Sequence, residues 1–236
     1  MNTAIVKQHK QMIENLQNLV DQEHIRFVFL PNRFDKTMVK TALLTLDNIQ
    51  DLIMEYERSY EKEKSDGEKI LLVFGLLQGL FVAVDALYSI NKGLQLEKLL
   101  ININQNAVLR SIKHIRNDVV GHPTFRYYNG DQIGFCRLDI DHITQSEFVY
   151  QVITFKKNQE HVAEKQVDLR LVIEQYFQEA NSILEQTIAM LDLTHTEDAF
   201  AFIDLIPLLF FQYQNKNQSY SLLEEIKEGF FKFSHI

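Results

Sequence analysis

The sequence predicts a mainly α-helical protein, an antiparallel helical bundle with a small antiparallel β-hairpin or sheet insertion around residues 124–155. Three observations predict it. Only 3 prolines and 8 glycines punctuate 236 residues, whereas an all-β fold needs turn residues roughly every 8–12 positions. Apolar residues recur at spacings of three and four over most of the chain, the period of a helix with one buried face. One stretch, from Thr124 to Phe155, turns instead to aromatic and β-branched residues, which suit a pleated surface.

Taken in order, Ile5, Met12, Leu16, Leu19 and Val20 mark an amphipathic helix over 3–23. Phe27–Leu30 reads as a short strand or extended link ending at Pro31. Asp35 is the expected N-cap of a helix from Lys36 to Lys64, with Val39, Leu43, Leu46, Ile49, Ile53 and Tyr56 on one face. A helix apolar on all sides follows from Glu68 to Asn91, with Asn91-Lys92-Gly93 as its stop signal. Val108, Ile112, Ile115 and Val119 form the buried stripe of a helix over 104–120. Strands are predicted near 124–128, 132–139 and 147–155, the first two joined by the turn pair Asn129-Gly130. After a polar stretch from Lys156 to Gln166, Val167–Leu191 is one long amphipathic run, and shorter helices are expected over Asp198–Tyr213 and Ser221–Phe233. The expected organisation is an N-terminal helix and link over 1–35, a helical core with its β insertion over 36–193, and C-terminal helices over 194–236.

Composition restricts the classes. Apolar residues at 46% and charged residues at 24% are the ordinary globular mixture. The N-terminal MNTAIVKQHK has no apolar signal segment, and the single Cys136 has no partner for a disulfide, so a cytoplasmic location is expected. Cys136 itself reads as a packing residue. Ile70–Ile90 is long enough to cross a bilayer, but it contains Gln78 and Asp85. An acid within a span costs roughly 2.5–3.5 kcal/mol, and a core helix has the same appearance, so no membrane partner is expected. A net charge of −8 opposes bulk attraction to nucleic acid. Between Ala107 and Arg137, however, five cations (Arg110, Lys113, Arg116, Arg126, Arg137) face two carboxylates (Asp118, Asp131), enough for a local phosphate site.

The segment His114–Thr124, HIRNDVVGHPT, carries the chemistry. On an uninterrupted helix Arg116 and His122 lie about 240° apart. The sequence predicts that Gly121 adopts the left-handed conformation that ends a helix and that Pro123 prevents its continuation. The chain then turns back and brings His122 beside Arg116. Arg116 offers a permanent charge and a fork of donors suited to a phosphate. His122 titrates near neutrality and can take or give a proton. The amide of Asn117 can orient either, and the carboxylate of Asp118 supports the same turn. Against this stands a simpler account, since cations at a helix C-terminus are expected from the dipole alone.

The string RNDVVGH at 116–122 resembles the R-x4–6-H motif of HEPN domains, which often begins Arg-Asn and closes a core helix. Its place after a long apolar helix in a helical bundle is similar too. The resemblance implies a HEPN-like bundle over about residues 36–190, with metal-independent RNA cleavage by Arg116 and His122. Asn117 would act in support, and two subunits would line one cleft. The insertion at 124–155 is no part of the minimal helical core.

Gln78 and Asp85, seven residues apart, fall on one face of the apolar helix. A buried acid needs a partner, so Asp85 is expected to orient Arg116 or His122, with Gln78 satisfying backbone or partner groups. No His, Cys or carboxylate set has metal-ligand spacing, no nucleotide or hydrolase signature occurs, and no cofactor is expected. The Phe-rich run 200–211 reads as core or a dimer contact. The expected function is a metal-independent endoribonuclease in a toxin or phage-defence setting, with RNA as candidate substrate, a homodimer, and an antitoxin as a further partner. Its rivals are a non-catalytic nucleotide-binding or protein-interaction module and a membrane-associated protein held through 70–90.

Overall fold

The computed structural model describes residues 3–60, 63–121, 123–128, 132–156 and 159–192. It is mainly helical with one antiparallel sheet: α1 (Thr3–Val20), α2 (Glu23–Val28), α3 (Arg33–Ser59), α4 (Asp66–Gly93), α5 (Glu97–Leu100), α6 (Ala107–Arg116) and α7 (Leu169–Asp192), with β1 (Arg126–Tyr128), β2 (Gln132–Asp139), β3 (Glu147–Lys156) and β4 (Gln159–Asp168) between α6 and α7. His122, the turn at Asn129-Gly130, the expected helices over 198–213 and 221–233, the Phe-rich run 200–211 and the whole of 194–236 lie outside the described residues.

α4 is the axis of the bundle. Ser65 and Glu68 close its first turn as a reciprocal capping box, in which Ser65 N–H donates to the Glu68 carboxylate at 2.8 Å. Val73, Leu76, Leu77, Leu80, Ala83, Val84, Leu87 and Ile90 are all buried. By length and composition this helix could cross a membrane, yet here it packs against α3, α6 and α7. α3 runs antiparallel to it, with Ile49 and Leu52 against Gly79 and Val39 against Gly93. A Cβ on Gly93 would lie 2.5 Å from the Val39 side chain, so the glycine serves this close approach.

Several boundaries differ from expectation. Residues 23–28 form a helical turn rather than a strand. The cap of α3 is Asn32, whose side chain accepts from Asp35 N–H at 2.9 Å, so Asp35 is the donor's residue and not the cap. α4 continues through Gly93, and the left-handed residue that follows is Gln95, with φ 59°. The polar stretch 159–168 is a fourth strand, paired antiparallel with β3 from Glu147↔Asp168 to Lys156↔Gln159. It is an edge strand, and among its side chains only Val167 is buried. Its charges are those expected on an edge that must not recruit further strands.

Sheet and bundle meet along the inner sheet face, where Phe148, Tyr150, Val152 and Val167 are buried. The Tyr56 hydroxyl donates to the Gln145 carbonyl at 3.1 Å and the Gln145 amide to the Glu57 carbonyl at 2.9 Å. Within the bundle, the buried Asn91 of α4 accepts from the Thr187 hydroxyl of α7 at 3.0 Å.

α1 is tied to α7 by a buried polar pair. Asn181 donates its amide N–H to the Ile5 carbonyl at 3.2 Å, so its oxygen faces His9 Nδ1 at 2.7 Å. Nδ1 therefore carries the proton. Nε2 is buried without a hydrogen-bond partner, with the ring edge-on to Phe177. Protonating Nε2 would place a charge in this apolar packing, and burial lowers the His9 pKa to about 4. Because the folded-state pKa lies below the unfolded one, stability from the neutral ring is complete above pH 6.5 and is lost as pH falls toward 4. We expect acidification from pH 8 to pH 5 to remove about 2 kcal/mol through this residue. Urea denaturation of the wild type and His9→Gln should therefore show a shallower pH dependence in the variant; parallel curves would contradict the assignment.

Candidate anion site at the end of α6

Asn106 starts α6 by accepting from Leu109 N–H at 3.0 Å. Leu109 and Ile112 bury its inner face, and Arg116 ends its regular part. The chain neither stops at a left-handed glycine nor continues as an α-helix. It widens into a π-turn, Asn117–Gly121, and Gly121 does not have a positive φ. The expected reversal at Gly121 is thus replaced by a local widening, a form often found at functional positions.

The widening explains the glycine in another way. In a π-turn, residues five apart bond to one another, which stacks Gly121 against Arg116. A Cβ on Gly121 would lie 2.7 Å from an Arg116 terminal nitrogen, so only glycine leaves the guanidinium its place. Three further contacts hold that group. Arg116 Nε donates to Gln78 Oε1 at 2.9 Å, a terminal N–H donates to Asn117 Oδ1 at 3.0 Å, and the guanidinium carbon lies 4.6 Å from the centre of the Phe81 ring. Arg116, Asn117 and Gln78 are each partly exposed. A flat cation fixed on three sides with an edge toward solvent is suited to a tetrahedral anion.

Gln78, Phe81 and Asp85 follow at steps of three and four on α4 and so share the face turned to α6. It is Gln78 that takes the Arg116 N–H, in place of the expected Asp85. Among the described residues no Arg116–Asp85 ion pair forms, and Asp85 is exposed. Its carboxyl is raised by partial burial, opposed by the charges of Arg116 and Lys113.

Asp118 points the other way, into the protein. It is 2% exposed. Its carboxylate accepts from the hydroxyls of Tyr128 at 3.0 Å and Tyr150 at 3.1 Å and lies 3.4 Å from Lys165 Nζ. Those partners stand on β1, β3 and β4. The Tyr128 ring crosses the backbone of Gly134, where a Cβ would be 2.6 Å away, and its hydroxyl also lies 3.0 Å from Cys136 Sγ. Burial, then the thiol and the Asp118 charge, push the Tyr128 pKa up, so the hydroxyl stays protonated and donates. Cys136 N–H closes the far side of the motif by donating to the Pro123 carbonyl at 2.6 Å. The segment leaving α6 is therefore pinned to the sheet at both ends.

The site thus gathers Arg116, Asn117 and Gln78, leaves Asp85 at its margin and turns Asp118 inward, while the position of His122 lies outside the described residues. Phe81 was missed in the sequence, although its step of three from Gln78 puts it on the same face of α4; Tyr128, Tyr150 and Lys165 were missed because their pairing depends on the register of the sheet. Comparison with family models, with curated proteins and with solved structures finds no match to this chain.

Removing the Asp118 carboxylate takes the acceptor from two tyrosine hydroxyls and leaves a buried hole, while the exposed Lys165 loses its ion pair. We expect Asp118→Ala to cost about 3 kcal/mol or more and Asp118→Asn, which keeps an acceptor, distinctly less. Chemical denaturation measures both; an Ala variant as stable as the wild type would show that the carboxylate does not fasten the sheet.

Proposed function

We propose that this protein is a metal-independent endoribonuclease of the HEPN type, acting in the cytoplasm as a homodimer and opposed by an antitoxin or released in phage defence. The observation that supports it is the state of Arg116. Its guanidinium is fixed by Gln78, Asn117 and Phe81 and abuts a glycine, one residue before His122 in the sequence. A preorganised cation of this kind stabilises the charge that develops on phosphorus without reorganising at the moment of reaction.

In the proposed reaction Arg116 clamps the non-bridging oxygens of a phosphodiester. His122 takes the proton of the neighbouring 2′-hydroxyl as its oxygen attacks phosphorus. The bond to the 5′-oxygen breaks, a proton passes to that leaving oxygen, and the strand ends in a 2′,3′-cyclic phosphate. Asn117 and Gln78 keep the guanidinium in plane. General base and electrostatic contributions of this sort supply factors of about 10² to 10⁴ each.

One observation favours the rival reading, a non-catalytic module. The same three contacts that preorganise Arg116 would also make it a structural knot tying α6 to α4. Three variants separate the two. We expect His122→Ala to abolish cleavage of single-stranded RNA with an unchanged melting temperature. Gly121→Ala, whose new methyl meets side-chain atoms of Arg116 and Asn117 and no backbone, should displace the guanidinium, stay within about 1 kcal/mol of wild-type stability and lose cleavage at least tenfold. Arg116→Ala should lose cleavage as completely as His122→Ala. RNA left intact by the wild type, or cut equally by His122→Ala, would leave the knot as the better account.

A further inference from the structure

From Asn102 to Asn117 the chain has no carboxylate at all, although Asp and Glu number 32 in the 236 residues. The same stretch carries Arg110, Lys113 and Arg116 at intervals of three, on one side of α6. Arg110 is exposed and Lys113 partly so. Both turn toward one residue of the preceding turn, since Arg110 donates to the Asn104 carbonyl at 3.4 Å and Lys113 Nζ lies 3.5 Å from Asn104 Oδ1. That turn is itself organised, with Asn102 Oδ1 accepting from Asn104 and Gln105 N–H, both at 3.2 Å. Asn102, Asn104 and Gln105 are exposed, so a row of cations lies beside three amide side chains. Two carboxylates from other helices border this edge: Asp85, which feels the charges of Arg116 and Lys113 and whose pKa partial burial raises, and Glu179, which accepts from the Asn106 amide.

We propose that Arg110 and Lys113 extend the Arg116 site into a track for the backbone of single-stranded RNA, with Asn102, Asn104 and Gln105 placed to meet base edges. Six residues of helix cover about 9 Å, so the three cations serve a few successive phosphates. The track accounts for how a chain of net charge −8 holds a polyanion: attraction is confined to one edge and is not a property of the whole surface. This inference rests on the ribonuclease reading for its ligand, but binding can be measured apart from cleavage.

The probe is a labelled 2′-O-methyl RNA 12-mer, which cannot undergo attack by its own 2′-oxygen, titrated with the full chain by fluorescence anisotropy at several salt concentrations. Each phosphate contact on a single strand contributes a slope of about −0.7 in log K against log salt. Arg110→Gln with Lys113→Gln should therefore flatten the wild-type slope by about 1.4. Lys7→Gln with Lys10→Gln, the same charge change on the exposed side of α1, should leave it as it was. Equal slopes for wild type and the α6 variant, equal flattening by the α1 variant, or no binding by the wild type would each overturn the track. Unmodified RNA separates the two proposals. A flattened slope with no cleavage keeps the track and rejects the nuclease; cleavage that requires Arg116 with an unchanged slope does the reverse.

Discussion

The carboxylate of Asp118 joins the two halves of this protein. An acid taken out of water must be hydrogen-bonded on every side or it unfolds what surrounds it. Here the partners come from β1, β3 and β4, strands that enter the chain only after the helix on which Asp118 sits. The sheet can therefore dock in only one way, with Tyr128 lying over Gly134 and Tyr150 facing inward. Once docked, it holds the turn at Asp118 from below, and Pro123 is held by Cys136 N–H.

That restraint gives the upper side of the same turn its character. Residues two apart on a helical turn point to nearly opposite sides, so fixing Asp118 downward leaves Arg116 against α4. There Gln78 and Phe81 complete its surroundings, and Gly121 leaves room for the guanidinium. A flexible arginine at a helix end would spend entropy on each anion it caught. This one is already ordered, and its remaining edge is partly exposed. The arrangement stabilises a charged group at the surface by contacts that do not neutralise it, which a site for an anion requires and a simple helix-dipole contact does not.

Much of this was legible in the sequence. The apolar helix 68–91 follows from its unbroken run of apolar residues, α6 from the period of its apolar stripe, and the strands 132–139 and 147–155 from their aromatic and β-branched content. β4 was not legible, since an edge strand that buries only Val167 has no alternation to read. The cap of α3 was misplaced from Asn32 to Asp35 because both residues suit that role and only geometry separates them. At the site, the cluster of Arg116, Asn117 and Gly121 was apparent as a local string. The π-turn was not, because a widening by one residue leaves no trace in composition. The importance of Gly121 was recognised for a different reason: it makes room for a neighbour, whereas the sequence suggested a left-handed turn. The exchange of roles between Gln78 and Asp85 has a similar origin. Both lie on the right face of α4, but the packing of α6 brings Arg116 within hydrogen-bond reach of the first only.

The fold thus sets Arg110, Lys113 and Arg116 along one side of α6 in an acidic protein, and the function proposed above has the end of this helix hold a phosphodiester while its own 2′-hydroxyl attacks it. The chemistry of the product ends tests that claim most directly. Single-stranded RNA incubated with the full chain in EDTA should yield fragments ending in 2′,3′-cyclic phosphate and beginning with a free 5′-hydroxyl. Fragments beginning with a 5′-phosphate, or cleavage that disappears with the chelator, would contradict it.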